Sequence, residues 1–197
     1  TKHEKQRRKE KLESYQYEIV SPDKVPLSVM VLFLDNMSRH ELVRQMPVTR
    51  DFLMNRLNSV ELQLYSTVGY NSLPNIFSFL TGNTLDQLDP NNKRATFNRY
   101  PFIWQRYRKR GYRTLYEEDC PPYSTFNFNK KGFGTQPVDV YPRPFHLAAW
   151  KDDSVWSGRK RALKTSECLG SSPYYNTMLG NLKQFVEFNR DEPSLAF

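Results

Sequence analysis

Residues 27–36 read LSVMVLFLDN, an apolar run that ends in two polar residues. The run from Leu27 to Leu34 is almost entirely apolar, which is typical of a short strand buried on both faces of a parallel sheet. The run stops at Asp35. Open α/β sheets bind ligands in the crevice at the carboxyl ends of their strands. Asp35, Asn36 and Ser38 are therefore the first candidates for a functional site.

The next segments alternate between helical and extended patterns. Arg50 to Leu57 has apolar residues at helical spacing, and Val60 to Tyr65 alternates as a strand does. In the stretch TVGYNSLPNIFSFLTG, residues 67–82, Asn71 or Ser72 can cap a helix that accepts Pro74 in its first turn and ends at Gly82. This pattern places Ser72 at a helix N-terminus.

The second half of the chain predicts further elements of an α/β domain. Its predicted segments, in chain order, are a helix over Phe102 to Arg110, a strand over Tyr112 to Tyr116 that ends in carboxylates, an irregular aromatic segment over Cys120 to Trp150, an exposed polar stretch over Asp152 to Glu167, a helix over Tyr174 to Phe188, and a strand beginning at Ser194.

Composition limits the function classes. Lys and Arg exceed Asp and Glu by 29 to 21, but much of the excess lies between Lys2 and Lys11. A nucleic-acid interface clusters its charge on a folded face, so we expect no nucleic-acid partner. We interpret residues 1–25 as a basic, polar arm or linker and residues 26–197 as the folded part. The arm lacks the apolar stretch of a signal peptide or membrane helix.

Asp35 and Ser72 together fit the chemistry of ester cleavage. A strand-end carboxylate can hold a divalent metal, which acidifies a hydroxyl nucleophile, and a helix N-terminus directs N–H groups at an anion. Each residue also has a simpler interpretation, since Asp often closes a turn and Ser often caps a helix. Arg39, Arg113 or the pair Lys130 and Lys131 could meet the anion, although surface charge is their default explanation.

The histidines and cysteines predict no cluster of their own. His3 lies in the arm, His40 in a solvated turn and His146 in the aromatic segment, where we expect it to pack in the core. Cys120 and Cys168 could form one disulfide or remain two buried thiols.

The motif around Ser72 resembles that of sulfatases. There a nucleophile is followed at the second position by Pro and at the eighth to tenth by Leu-Thr-Gly, as Ser72 is by Pro74 and by Leu80 to Gly82. The strand ending VLFLDN is similar to the one that carries metal-binding acids in that superfamily, and YRKRGYRTLYEED, residues 107–119, resembles its following helix-to-strand element.

The chain more specifically resembles the domain of unknown function 229 family of sulfatase-like proteins. The motifs that carry the likeness cover nearly everything after residue 25, namely LDNMSRHELVRQMP, NSLPNIFSFLTG, EDCPPYSTFNFNKKGFGTQPVDVYPRP and CLGSSPYYNTMLGNLKQFVEFNRDEPSLAF. The resemblance implies the N-terminal part of a doubly wound, mostly parallel α/β domain of the alkaline phosphatase type. It also implies a lumenal or extracellular location, a membrane anchor outside this chain, and a Cys120–Cys168 disulfide.

The resemblance assigns roles residue by residue. Ser72 would be the nucleophile, Asp35 and Ser72 ligands of Zn, Ca, Mg or Mn, and Asn36, Asn71 and Arg39 candidates for contacting the substrate or supporting the site. Three departures matter: Asn36 replaces a second acid, Ser72 replaces the cysteine that becomes formylglycine, and Ile76 replaces an Arg. A hydroxyl nucleophile favours phosphoester over sulfate-ester chemistry.

Two hypotheses result. The first is a partial metal-dependent hydrolase or transferase for an anionic phosphate or sulfate ester, inactive until the rest of the domain supplies the remaining Asp and His ligands. The second is a catalytically inactive, sulfatase-like binding or scaffold module in the secretory pathway or extracellular space.

Overall fold

A computed structural model describes residues 26–85, 96–152, 156–157 and 168–197. The basic arm of residues 1–25 and most of the polar stretch from Asp152 to Glu167 lie outside the described residues. In the described part the elements are, in order, β1 (Val29–Met30), α1 (Arg39–Gln45), α2 (Pro47–Asp51), a π-helical turn (Phe52–Arg56), α3 (Ser72–Thr81), a 3-10 turn (Phe97–Arg99), α4 (Ile103–Lys109), β2 (Arg113–Leu115), a 3-10 turn (Pro121–Tyr123), α5 (Arg143–Lys151), β3 (Trp156–Ser157), β4 (Cys168–Leu169), β5 (Ser172–Pro173), α6 (Tyr174–Phe188) and β6 (Ser194–Ala196).

The main sheet is small and parallel. Its order is β1-β6-β2, so the last strand of the chain lies between the first two. A second sheet, β3-β4-β5, is antiparallel. Mixed α/β architecture is thus confirmed, whereas the doubly wound sulfatase arrangement stays a prediction. In the described residues no helix is long and apolar enough to span a membrane.

The helices around the predicted motifs follow their sequence signals closely. The segment from Arg50 to Leu57 is helical, as expected. Helix α3 ends at Gly82, whose φ of 70° lies in the left-handed region that favours glycine and whose N–H bonds to Ser78 O. Helix α6 has the predicted bounds, Tyr174–Phe188.

Aromatic side chains make the core. Phe77 of α3, Phe102, Trp104 of α4, Tyr116 and Phe126 are almost completely buried. Phe77 meets Phe102 edge-on at 5.8 Å between ring centroids, and Phe102 stacks on Trp104 at 4.3 Å. Phe126 comes from the irregular aromatic segment, which therefore forms one wall of the core rather than a surface loop.

Two predicted strands differ from the structure. The segment from Val60 to Tyr65 is not a strand, and its Leu62 and Leu64 are 71% and 97% exposed. The alternating pattern was a valid strand signal, but a strand needs a neighbour, and no described segment pairs with this one. The strand predicted over Leu27 to Leu34 has only two residues. It is not buried on both faces, because β1 lies at the sheet edge with β6 as its one described partner.

A helix was also missed. Helix α5 interrupts the segment predicted as irregular from Cys120 to Trp150. Its two prolines, Pro142 and Pro144, obscured the pattern, but they occupy the N-cap and first turn, where proline is accommodated.

Substitution of a core ring should cost far more than substitution of an exposed one. We expect Phe77→Ala to lower the free energy of unfolding by roughly 3–5 kcal/mol, because Phe77 is 0% exposed and its removal leaves a cavity. The matched control Phe188→Ala, at a ring 62% exposed on α6, should cost less than about 1 kcal/mol. Urea denaturation measures both, and equal losses would contradict the placement of the core.

Candidate functional site

The parallel register aligns the carboxyl ends of the outer strands. Met30 of β1 and Leu115 of β2 both pair with Ala196 of β6. The chain then continues from β1 to Asp35 and from β2 to Glu117, whose N–H donates to Phe197 O at 2.9 Å. Both acids therefore follow the carboxyl ends of their strands, at the same end of the sheet.

Ser72 and Asp35 lie within hydrogen-bonding distance of each other. The Ser72 hydroxyl donates to Asp35 Oδ1 at 3.3 Å, although the two residues are 37 positions apart in the chain. Asp35 is exposed and Ser72, the first residue of α3, is half-buried. The structure thus brings together the two residues on which the sequence hypothesis depends.

The loop before Ser72 is held in an unusual conformation. Asn71 has φ 60° and ψ 178°, a region that residues other than glycine rarely adopt. Its side chain makes no capping hydrogen bond, so the first-turn N–H groups of α3 have no side-chain cap. A strained residue directly before a hydroxyl at a helix N-terminus is an arrangement found at functional sites.

Asn75 is the residue that fixes this loop, and sequence reasoning missed it. Its Oδ1 accepts from Val68 N at 2.7 Å and Gly69 N at 3.3 Å, while its Nδ2 donates to Gly69 O at 2.8 Å and Asn71 O at 2.6 Å. Glycine suits position 69, since a Cβ there would lie only 3.0 Å from the Pro74 ring. The sequence signal was an Asn in the first turn of a helix, which can bond the preceding backbone.

The other residues proposed from sequence have different surroundings. Asn36 is exposed in a turn at φ 56°, and Ser38 caps α1 by accepting from Glu41 N at 3.1 Å. Arg39 forms an exposed ion pair with Glu61 at 2.5 Å, so its guanidinium contacts a carboxylate of the protein itself.

A divalent ion would find only part of its ligand set here. Asp35 and Ser72 offer oxygen atoms close together, but no group of three or more His, Cys, Asp and Glu side chains suited to a metal occurs in the residues that the structure describes. Zinc takes about four ligands and calcium or magnesium about six or more. The described residues thus supply two oxygen atoms at this point, and a divalent ion bound here would need further ligands.

A second polar cluster lies beside the end of β2. His146 is 1% exposed, and its Nε2 lies 2.6 Å from Glu117 Oε1, while its Nδ1 is hydrogen-bonded to the Tyr174 hydroxyl. The Asn181 amide donates to the same Glu117 oxygen at 2.7 Å. Burial of His146 agrees with the sequence prediction, but its carboxylate and phenol partners were not predicted. The sequence signal was the acidic end of β2.

Cys120 and Cys168 are not joined by a disulfide in the structure. The disulfide between them thus stays a prediction. Burial, together with the carboxylate of Asp119, raises the pKa of the Cys120 thiol above its ordinary value.

The loop geometry predicts a specific loss on substitution of Asn75. We expect Asn75→Ala to lower the free energy of unfolding by roughly 1–3 kcal/mol and to speed hydrogen exchange at the Gly69 amide, since the loop loses its side-chain hydrogen bonds. Asn55→Ala is the matched control, because Asn55 makes an exposed bond to Asp51. Unchanged exchange at Gly69 would show that Asn75 does not hold the loop.

The raised pKa of Cys120 predicts slow alkylation in the reduced protein. Less thiolate exists at a given pH when the pKa is higher, so the iodoacetamide rate should keep rising beyond the ordinary thiol pKa of about 8.5. Peptide mapping across a pH series measures the rate at Cys120. An inflection at or below that ordinary value would contradict the structural account of this thiol.

Comparison with known proteins gives one match. No curated protein and no solved structure matches the chain. A family model described as "Protein of unknown function (DUF229)" matches residues 2–197, which is nearly the whole sequence. The resemblance to the domain of unknown function 229 family is thereby confirmed, and the chain belongs to the DUF229 family.

Proposed function

We propose that this chain forms the nucleophile-bearing part of a metal-dependent hydrolase or transferase that acts on phosphate or sulfate esters. The observation that carries the proposal is the hydrogen bond of 3.3 Å from the Ser72 hydroxyl to Asp35 Oδ1, at the N-terminus of α3. The proposal places this activity in the secretory lumen or outside the cell.

Ser72, Asp35 and the N-terminus of α3 each have a chemical role in the proposed reaction. The Ser72 oxygen attacks the phosphorus or sulfur atom, and the ester bond to the leaving alcohol breaks, so that the group is transferred to Ser72. Asp35 lies where it can accept the hydroxyl proton, which then passes to the leaving alcohol, or share an ion with the alkoxide. The uncapped N-terminus of α3 directs a partial positive charge at the anionic ester. A bound divalent ion would lower the pKa of the Ser72 hydroxyl and stabilise negative charge on the ester oxygens.

A phosphoester is the better candidate of the two substrate classes. Ser72 stands where most sulfatases have the cysteine that becomes formylglycine, and Ile76 stands where they have an arginine. Both changes remove parts of sulfatase chemistry and leave a simple hydroxyl nucleophile.

One observation favours a second function, that of an inactive binding or scaffold module. Asn36 replaces a metal-binding acid with a neutral amide and lies exposed in a turn. A site with one fewer anionic ligand binds a divalent ion more weakly. Calorimetric titration of the full-length protein with zinc, calcium, magnesium and manganese separates the functions, because the module predicts no heat of binding for any of them.

Substitution of the proposed nucleophile tests the enzyme directly. In the full-length protein, with divalent ions added, we expect Ser72→Ala to lower the turnover of p-nitrophenyl phosphate by roughly a thousand-fold or more. Asp35→Asn should raise the concentration of ion needed for half-maximal rate.

The matched control is Ser78→Ala on the same helix. The Ser78 hydroxyl is buried without a hydrogen-bond partner, so its removal should leave turnover unchanged. Turnover retained by Ser72→Ala would remove Ser72 from the mechanism, and the same assay with p-nitrophenyl sulfate decides between the two ester classes.

A further inference from the structure

The cluster beside β2 has the order of groups that activates a hydroxyl. The chain of contacts runs from the Tyr174 hydroxyl to His146 Nδ1, and from His146 Nε2 to Glu117 Oε1 at 2.6 Å. An ionised carboxylate accepts hydrogen bonds only, and this oxygen also accepts from Asn181 at 2.7 Å. The proton of a neutral His146 is therefore held on Nε2, and Nδ1 is left as the acceptor that faces Tyr174.

Tyr174 also lies at a helix N-terminus. It is the first residue of α6, a helix of 15 residues whose preceding residue, Pro173, makes no side-chain cap. The first-turn N–H groups and the helix dipole favour negative charge that develops beside this hydroxyl. His146 and Glu117 are almost fully buried, whereas Tyr174 is half-buried and connects them to the surface.

The surrounding charges select the type of electrophile. Burial, with the nearby carboxylates of Asp119 and Glu117, raises the pKa of the Tyr174 phenol, so the hydroxyl keeps its proton until a base takes it. The same carboxylates repel an anionic ester. An uncharged carboxylic ester does not meet this repulsion.

We propose that Tyr174, His146 and Glu117 form a second acid–base site, in which the Tyr174 hydroxyl accepts an acyl group from an uncharged carboxylic ester. The Tyr174 oxygen attacks the carbonyl carbon as its proton passes to His146 Nδ1. A new C–O bond forms to Tyr174 and the bond to the leaving alcohol breaks. The alcohol leaves with the proton that His146 returns, so the products are acyl-tyrosine and a free alcohol.

This site is separate from the one that contains Ser72. Asp35 follows β1 and Glu117 follows β2, with β6 between the two strands. The two outer strands lie two strand spacings, or roughly 10 Å, apart. Acetylation of Tyr174 and turnover of a phosphoester are measured separately, so the acyl-transfer proposal does not rest on the phosphoester proposal.

Acetylation by p-nitrophenyl acetate tests the site with neighbouring tyrosines as internal controls. Tyr175 is 62% exposed and Tyr70 is 96% exposed, so without activation both should react faster than the half-buried Tyr174. We expect Tyr174 to be acetylated roughly ten-fold or more faster than either, measured by mass spectrometry of proteolytic peptides. Acetylation of Tyr174 at or below the rate of Tyr175 would overturn the proposal.

Substitutions in the cluster identify the base. In variants that circular dichroism shows to be folded, Glu117→Gln and His146→Phe should slow acetylation of Tyr174 by roughly ten-fold or more and leave Tyr175 unaffected. Glu187→Gln is the matched control, because Glu187 is an exposed carboxylate on the same helix as Tyr174. An unchanged Tyr174 rate in folded His146→Phe would overturn the proposal, and the rate comparison within the unaltered protein needs no variant to fold.

Discussion

Parallel pairing of β1 and β2 on either side of β6 is the constraint on which both candidate sites depend. Because Met30 and Leu115 share Ala196 as partner, the chain leaves the two outer strands at the same end of the sheet. Asp35 and Glu117 therefore lie beyond that end of the sheet, although 82 positions separate them in the sequence. The aromatic core, which contains Phe77 of α3 and Trp104 of α4, packs against Leu195 of the central strand.

A common arrangement appears at both sites. A residue with a hydroxyl begins a helix that has no side-chain cap, and an acid that follows a strand of the sheet lies close by. At Ser72 the carboxylate of Asp35 is in direct contact with the hydroxyl. At Tyr174 the imidazole of His146 stands between the hydroxyl and Glu117. Exposure differs accordingly, since Asp35 is open to solvent and to further ligands, whereas Glu117 is buried and already accepts two hydrogen bonds.

Local signals in the sequence predicted several helices and indicated Asp35 and Ser72 as candidates for one site. Pro74 in the first turn and the stop residue Gly82 predicted the position of α3, although neither Asn71 nor Ser72 caps it with a side chain. The polar end of an apolar run indicated Asp35 as a candidate. The sequence could not predict which segments pair, so the alternating pattern from Val60 to Tyr65 suggested a strand that has no described neighbour. Nor could it predict the partners of His146, because the segments that carry Glu117 and Tyr174 meet only in the folded chain.

Joint action of Ser72 and Asp35 can be measured by a double-mutant cycle on kcat/KM for p-nitrophenyl phosphate in the full-length protein. Residues that act as one unit give non-additive losses. If the two side chains act as one unit, Ser72→Ala combined with Asp35→Asn will be no slower than the worse single variant. Losses that multiply in the double variant would show instead that the two side chains act independently.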